Sequence, residues 1–230
     1  MVGRFAASGK RPGSVWKPAS GVNDSEPGLV MSGIEPGKVI LKKGDALVVV
    51  DVQNDFLPGG ALAVPDGNRI LPAINKYIAA FEQRSLSIYM TRDWHPVDHC
   101  SFKEQGGPWP SHCVAGTYGA AFSTELTFSS TPTIVSKATT PDREYYSDFG
   151  TTNFEADLRG AGVSRLFVGG LATDYCVSST VLDALALGFE TYLLVDAIRG
   201  VNVQPQDSQK AEEEMARHGA VAIKVQDLAP

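Results

Sequence analysis

The sequence predicts a three-layer α/β/α domain built on a six-stranded, mostly parallel sheet. Three observations carry this. Short β-rich runs alternate with helical periods from Ala46 onward. The first of them, Ala-Leu-Val-Val-Val-Asp at 46–51, is apolar without interruption, as a strand buried on both faces must be. Polar, chemically capable residues then follow the ends of several runs, where an open parallel sheet places its site.

Asn68–Ala80 carries apolar residues at Ile70, Leu71, Ile74, Tyr77 and Ile78, a helical period. Ser87–Thr91 reads as the second strand and Thr133–Lys137 as the third. A short helix closes over Asp157–Gly160, with Gly162 suited to the turn after it. Ser164–Gly169 is the fourth strand, and Asp174–Leu187 is helical through Cys176, Val177, Val181, Ala184 and Leu187. Glu190–Val195 is the fifth strand, Ser208–His218 a helix, and Val221–Val225 the sixth strand. Strands separated by helices imply crossover connections and a sheet covered on both sides.

The length, 230 residues, fits one such domain with additional chain. Residues 45–230 form the expected domain and 1–44 an N-terminal extension, poorly structured or packed on the surface. Residues 1–23 carry Arg4, Lys10, Arg11 and Lys17 and no acid, among Gly, Ser, Pro and Ala. No apolar stretch of a secretory signal follows, so a cytoplasmic location is expected, with organelle targeting by the basic start left open. Hydrophobic residues at 43% and charged residues at 20% are ordinary for a folded domain. A net charge of −6 argues against a nucleic-acid-binding face. No apolar run approaches the roughly 18 residues that span a bilayer. Three irregularly spaced cysteines do not make a disulfide framework. A homo-oligomer is left open.

The chain has four histidines, and His95, His99 and His112 lie close together in Thr-Arg-Asp-Trp-His-Pro-Val-Asp-His (91–99) and Trp-Pro-Ser-His (109–112). Asp93 and His95 share one side of an extended segment. His112 can return through Gly-Gly-Pro at 106–108. One carboxylate and two imidazoles suit a divalent ion, zinc first and iron or manganese as alternatives, with positions open for water or substrate. Such Asp-x-His pairs also occur in loops without a metal. His99 is either a fourth ligand, a partner of the ligands or a surface histidine. Cys100 and Cys113 read as packing residues, and His218 as an ordinary helix residue. Elsewhere Asp51, Lys137 and Cys176 stand at or just past strand ends. Cys176, at the start of a helical pattern, is the candidate nucleophile; a helix N-terminus and a nearby cation would lower its pKa. A lone cysteine is also commonly a core residue.

In order along residues 45–225, the chain resembles the nicotinamidase branch of the isochorismatase-like cysteine hydrolases. The matching pieces are Val-Asp-Val-Gln-Asn-Asp-Phe (50–56), Gly-Gly-Ala-Leu-Ala-Val-Pro (59–65), Asp-Trp-His-Pro (93–96), Trp-Pro-Ser-His-Cys-Val-Ala-Gly-Thr (109–117), Lys137 after a strand, and Gly-Gly-Leu-Ala-Thr-Asp-Tyr-Cys-Val (169–177). The resemblance implies a catalytic triad of Asp51, Lys137 and Cys176, with Asp51 rather than Asp55 as the acid. It also implies an oxyanion hole from the backbone N–H groups of Ala172 and Cys176, and a cis peptide between Leu171 and Ala172. Further, it implies a metal site at Asp93, His95 and His112 and hydrolysis of nicotinamide to nicotinate and ammonia, feeding NAD salvage. Phe56 and Trp109 would hold the faces of the flat ring by stacking, and a metal would fix the pyridine nitrogen. The alternatives are an isochorismatase-like hydrolase of another small amide and a non-catalytic binding protein on the same fold.

Overall fold

The computed structural model describes residues 38–150 and 153–229. Its central sheet contains β1 (Asp45–Val50), β2 (Ser87–Asp93), β3 (Thr133–Lys137), β4 (Arg165–Leu171), β5 (Glu190–Arg199) and β6 (Val221–Ile223) in the order β3-β2-β1-β4-β5-β6. Every neighbouring pair is parallel. The helices are α1 (Leu71–Glu82), α2 (Phe154–Gly160), α3 (Ser178–Ala186) and α4 (Asp207–Arg217). This is the α/β/α architecture that the alternating pattern predicts.

All six residues of β1 are buried, because the strand is central and covered on both faces. Successive side chains point to opposite sides. Leu47 and Val49 join Ile74, Tyr77, Ile78 and Phe81 of α1 and Phe167 in one apolar cluster. Ala46, Val48 and Val50 join Phe154 and Leu158 of α2 and Val181 and Ala184 of α3 in the other. Each fully buried valine or leucine contributes about 1.5–3 kcal/mol. The continuous apolar run is thus the pattern of a strand that feeds two cores.

The chain leaves β1 for β2 and β3 on one side, while β4, β5 and β6 extend the sheet on the other. Strand order therefore reverses between β1 and β4, and the crevice beyond their carboxyl ends is the expected location of a site. Three strands run past their sequence signals, β2 among them, continuing from Thr91 to Asp93. β4 continues past Gly169 to Leu171, and β5 continues past Val195 to Arg199. The pair shifts register between Val168 and Gly170, after which Gly170 meets Ile198 and Leu171 meets Arg199. The Gly-Gly pair reads as a stop in sequence, but Gly170 stays in the sheet with φ +132°, and a Cβ there would lie 2.0 Å from the Val50 carbonyl oxygen. The glycine lets β4 pass against β1 where the two strands converge on the site.

Most of the expected extension, residues 1–37, lies outside the described residues. Val39 bridges to Leu228, with its N–H donated to the Asp227 carbonyl at 2.6 Å, and Leu41 is buried. Among the described residues no helix is long and apolar enough to cross a membrane.

At the amino ends of β1 and β4, Arg165 clasps Asp45 with two bonds of 2.6 Å, Nε to Oδ1 and Nη2 to Oδ2. Both residues are buried. Removing one partner leaves the other charge buried and alone, which costs about 3–5 kcal/mol. Asp45→Ala should therefore lower the unfolding free energy by that amount in urea titration. Because the pair lies at the far end of the strands from the crevice, turnover per folded molecule should not change.

Candidate active site

Four strand ends converge on one buried cluster. Asp51 follows β1 with φ +48°, a left-handed conformation that turns the chain away from the sheet. Its Oδ1 accepts the Thr91 hydroxyl at 2.9 Å, and its Oδ2 accepts the Lys137 ammonium. Lys137 ends β3 and has no exposed surface. The ammonium also lies 2.8 Å from Asp93 Oδ1, at the end of β2, and 3.9 Å from Asp148 Oδ1. Cys176 lies in a π-helical turn, Thr173–Val177, between β4 and α3, a type of irregularity frequent at functional sites. Its sulfur and an oxygen of Asp51 and of Asp93 lie within 4.8 Å of one another.

The electrostatics correct one expectation from the sequence. Burial pushes the Cys176 thiol well above its ordinary value; Lys137 pulls it down, but Asp51 and Asp93 add to the rise. The resting group is a neutral thiol, not a thiolate. Burial also raises the Asp51 carboxyl, against the pull of Lys137. A thiol and a carboxyl side by side, both shifted upward, form a proton-transfer pair. Burial works against charge on Lys137, but Asp51 and Asp93 outweigh it and keep the ammonium protonated. Burial would also raise Asp93, yet Lys137 and His95 hold it well below the ordinary carboxylate range.

Asp93, His95 and His112 are all buried, and their ligating atoms lie within 4.8 Å of one another. His95 Nδ1 is 3.2 Å from the Ala138 carbonyl, and His112 Nδ1 is 2.8 Å from that of Pro110. Each carbonyl requires a proton on Nδ1, which leaves Nε2 as the free donor atom on both rings. His95 Nε2 is buried without a hydrogen-bond partner, and its nearest carboxylate oxygen, Asp93 Oδ2, is 3.7 Å away. On the histidine side the carboxylate is Asp93, which Lys137 and His95 hold in its ionised form, 3.7 Å from His95 Nε2. An unpartnered, buried imidazole nitrogen beside an ionised carboxylate and a second imidazole fits a divalent cation. His99 stands differently: its ring stacks on His95 at 4.1 Å, Nδ1 meets Ser101 Oγ at 2.8 Å, and Nε2 meets the Arg143 carbonyl at 2.9 Å. With both nitrogens engaged, it packs behind His95 rather than completing the set.

These residues open on a cleft lined by Phe56, Asp93, Trp109, His112, Ala172 and Cys176, with Glu144, Tyr146 and Tyr175 at its wall. Phe56 leans on the His112 ring at 5.7 Å. Trp109 donates its indole N–H to Tyr146 Oη at 3.1 Å and meets the Tyr175 ring edge-on at 5.2 Å. The peptide between Leu171 and Ala172 is cis, as the resemblance implies. Of the residues singled out in the sequence, all eight side chains of the triad, donor set and aromatic pair reach this cleft or the cluster beneath it. Asp55 does not enter it: its carboxylate accepts the Cys113 and Ala61 N–H groups at 2.7 and 3.1 Å.

Sequence reasoning missed Asp148, Tyr146 and Tyr175. Tyr175 could have been read from its place beside Cys176. Nothing in the spacing signals Asp148, which is wholly buried and accepts the Thr180 hydroxyl at 3.1 Å. Burial, opposed by Lys137, raises its carboxyl to about 7. The folded protein thus keeps a proton on Asp148 that the unfolded chain loses near the ordinary value of 3.8. This contribution to stability is full below that value and is lost as pH rises through about 7. Asp148→Asn, which is neutral at every pH, should show a smaller loss of stability between pH 5 and 8.5 than the parent, measured by urea midpoints. Equal losses would place the titration elsewhere.

An isochorismatase domain model matches residues 45–227. The chain is 38% identical to the nicotinamidase of Escherichia coli over 203 residues, 79% of this chain and 95% of that protein. The pyrazinamidase of Pyrococcus horikoshii, solved in complex with zinc, superposes with a TM-score of 0.75 at 50% identity, covering 79% of this chain and 99% of that one. PnC1 from L. infantum, solved in complex with nicotinate, gives a TM-score of 0.78 at 34% identity over 84% of this chain and 98% of that one. The sheet, the strand-end cluster and these matches agree: the chain belongs to the isochorismatase family.

Proposed function

We propose that the protein is a nicotinamidase, hydrolysing nicotinamide to nicotinate and ammonia through a thioester on Cys176. The observation that carries this reading is a buried thiol, Cys176, within 4.8 Å of the Asp51 carboxylate, itself paired with Lys137, beside the clustered donor atoms of Asp93, His95 and His112. Relatives named nicotinamidase, and neighbours solved with zinc or nicotinate, support the substrate and zinc as the ion.

An amide is a weak electrophile with a poor leaving group, so the nucleophile, proton carrier and anion site must all be in place. The Cys176 sulfur attacks the carboxamide carbon as its proton passes to Asp51. The oxygen becomes an oxyanion, received by the backbone N–H groups of Ala172 and Cys176. As the C–N bond breaks, Asp51 returns the proton to nitrogen and ammonia leaves. Water then attacks the thioester carbon and gives one proton to Asp51; collapse breaks the C–S bond and releases the Cys176 thiolate and nicotinic acid, which loses its remaining proton to ammonia or solvent as nicotinate. Asp51 returns that proton to the sulfur. Lys137 holds Asp51 in position and balances the negative charge that moves between sulfur and carboxylate. Phe56 and Trp109 confine the ring so that the carboxamide faces the sulfur. Asp93, His95 and His112 would hold a divalent ion, which supplies Lewis acidity for the pyridine nitrogen and for bound water.

Cys176→Ala should fold and lose turnover. Mass spectrometry of the parent enzyme quenched during turnover should find an acyl adduct on Cys176; substantial hydrolysis by the alanine variant would remove the sulfur from the reaction.

His112→Ala should lose bound metal and raise KM for nicotinamide far more than it changes the rate of Cys176 alkylation. Benzamide, which keeps the carboxamide but lacks the ring nitrogen, should be a poor substrate of the parent. Hydrolysis of benzamide as fast as nicotinamide would contradict an anchoring role for the ion.

A further inference from the structure

Resting on the metal reading above, we propose that Gln53 and Asp55 are positioning residues of the metal centre. They fix the Asp93 carboxylate and the His112 imidazole by holding the peptide groups that carry them, and neither touches the ion. The residues immediately after β1 have no strand role, because the chain turns away from the sheet at Asp51. The last β1–β2 ladder bond is the Asp51 N–H to the Thr91 carbonyl, at 3.2 Å. Beyond it, the Asp93 peptide groups on that side have no strand to pair with.

Gln53 takes the place of that strand. It is fully buried. Its Oε1 accepts the Asp93 N–H at 2.9 Å, while its Nε2 donates to the Asp93 carbonyl at 2.8 Å and to the Ala120 carbonyl at 2.9 Å. A side-chain amide presents the same donor and acceptor as a peptide, so it extends the ladder by one residue at the position that needs a fixed carboxylate. On its other side Asp93 pairs with Lys137 of β3. The backbone of this donor is thus held from both edges.

Asp55 does the equivalent for His112. Its Oδ2 accepts at 2.7 Å the N–H of the peptide that joins His112 to Cys113. The carbonyl of Cys113 accepts the His95 N–H at 3.0 Å, and the Ala115 N–H returns to the His95 carbonyl at 2.8 Å. The two histidine segments therefore run as a short parallel bridge, and Asp55 pins its free side. Cys113 has φ +46°, a conformation that needs outside support in a residue other than glycine. Gly119 lies so close that a Cβ on it would be 2.1 Å from Asp55 Oδ2, so the carboxylate is packed as well as bonded. Asn54, between the two, donates to the Tyr118 carbonyl at 2.8 Å and touches no donor segment.

The test is zinc affinity, measured without turnover by competition with a chromophoric chelator on folded, metal-stripped protein. Gln53→Glu keeps the acceptor for Asp93 but loses both donors, and Asp55→Asn introduces an N–H against N–H contact at one of its two partners. Each should weaken zinc binding by about tenfold or more, in the range set by partners that orient metal ligands. Circular dichroism should stay native in both, and in Asp55→Asn, whose clamp acts on the His112 segment and not on the Asp93–Lys137 pair, Cys176 alkylation should keep the parent rate. Asn54→Ala, the internal control, should bind zinc as the parent does. Parent-like zinc affinity in both Gln53→Glu and Asp55→Asn would overturn the inference while leaving the metal site intact. A parent protein that binds no zinc, iron or manganese would instead overturn the metal reading, and this inference with it. Loss of affinity in Asn54→Ala equal to that of its neighbours would show a general loosening of the loop and also overturn the inference.

Discussion

A lysine ammonium without exposed surface must be surrounded by acceptors, and in this protein the surrounding acceptors are the site. Placing one charge in the interior costs several kcal/mol that only close opposite charges can offset. Lys137 meets that demand with Asp51 and Asp93, with Asp148 further out. These acids come from β1, from β2 and from the segment between β3 and α2, so the ammonium can be satisfied only when the strand ends are in register. The interaction also divides the labour. Asp51 faces the thiol, Asp93 faces the histidines, and one cation holds both carboxylates apart.

The same cluster explains why the thiol rests neutral. Two carboxylates and a low-dielectric surround oppose a thiolate more strongly than one lysine favours it. A sulfur that loses its proton only as it attacks is protected from casual alkylation or oxidation, since the thiolate is the reactive form. Reactivity is then set by the approach of a carbonyl beside a base whose own affinity for protons has been raised. A cleft walled by Phe56, Trp109, Tyr146 and Tyr175 admits a flat ring and directs its substituent to that point.

How much of this was legible in the sequence depended on whether the signal was local. The strands were legible because central strands carry unbroken apolar runs, and the ends of β2, β4 and β5 were not: the last residues of β2 are polar and held by pairing with β3, and those of β4 and β5 follow the register shift at Gly170. Asp51, Asp93, His95, His112 and Cys176 could be singled out as polar residues past apolar runs or in a tight cluster. Lys137 could not be separated from a surface lysine on pattern alone; the resemblance selected it, and its burial is a tertiary fact. Asp148 left no trace, since its neighbours Thr180 and Lys137 are 32 and 11 positions away. Gln53 stands in a motif without a readable role, because its partners are the peptide groups of Asp93 and Ala120, distant in sequence. The thiol expectation failed for a related reason: a helix start and a lysine are visible in sequence, while the desolvation that outweighs them is not.

The central claim is that Lys137 is the charge around which the cluster is assembled, and Lys137→Met tests it most directly. Methionine keeps an unbranched stem in the buried slot and removes only the ammonium. The account predicts that kcat for nicotinamide falls by at least about tenfold, since one lost unit of pKa matching is about 1.4 kcal/mol, and that KM moves much less. It also predicts that iodoacetamide modifies Cys176 only at higher pH than in the parent, because the one group that lowers the thiol pKa is gone. A folded Lys137→Met protein with near-parent kcat and an unshifted alkylation profile would contradict the account.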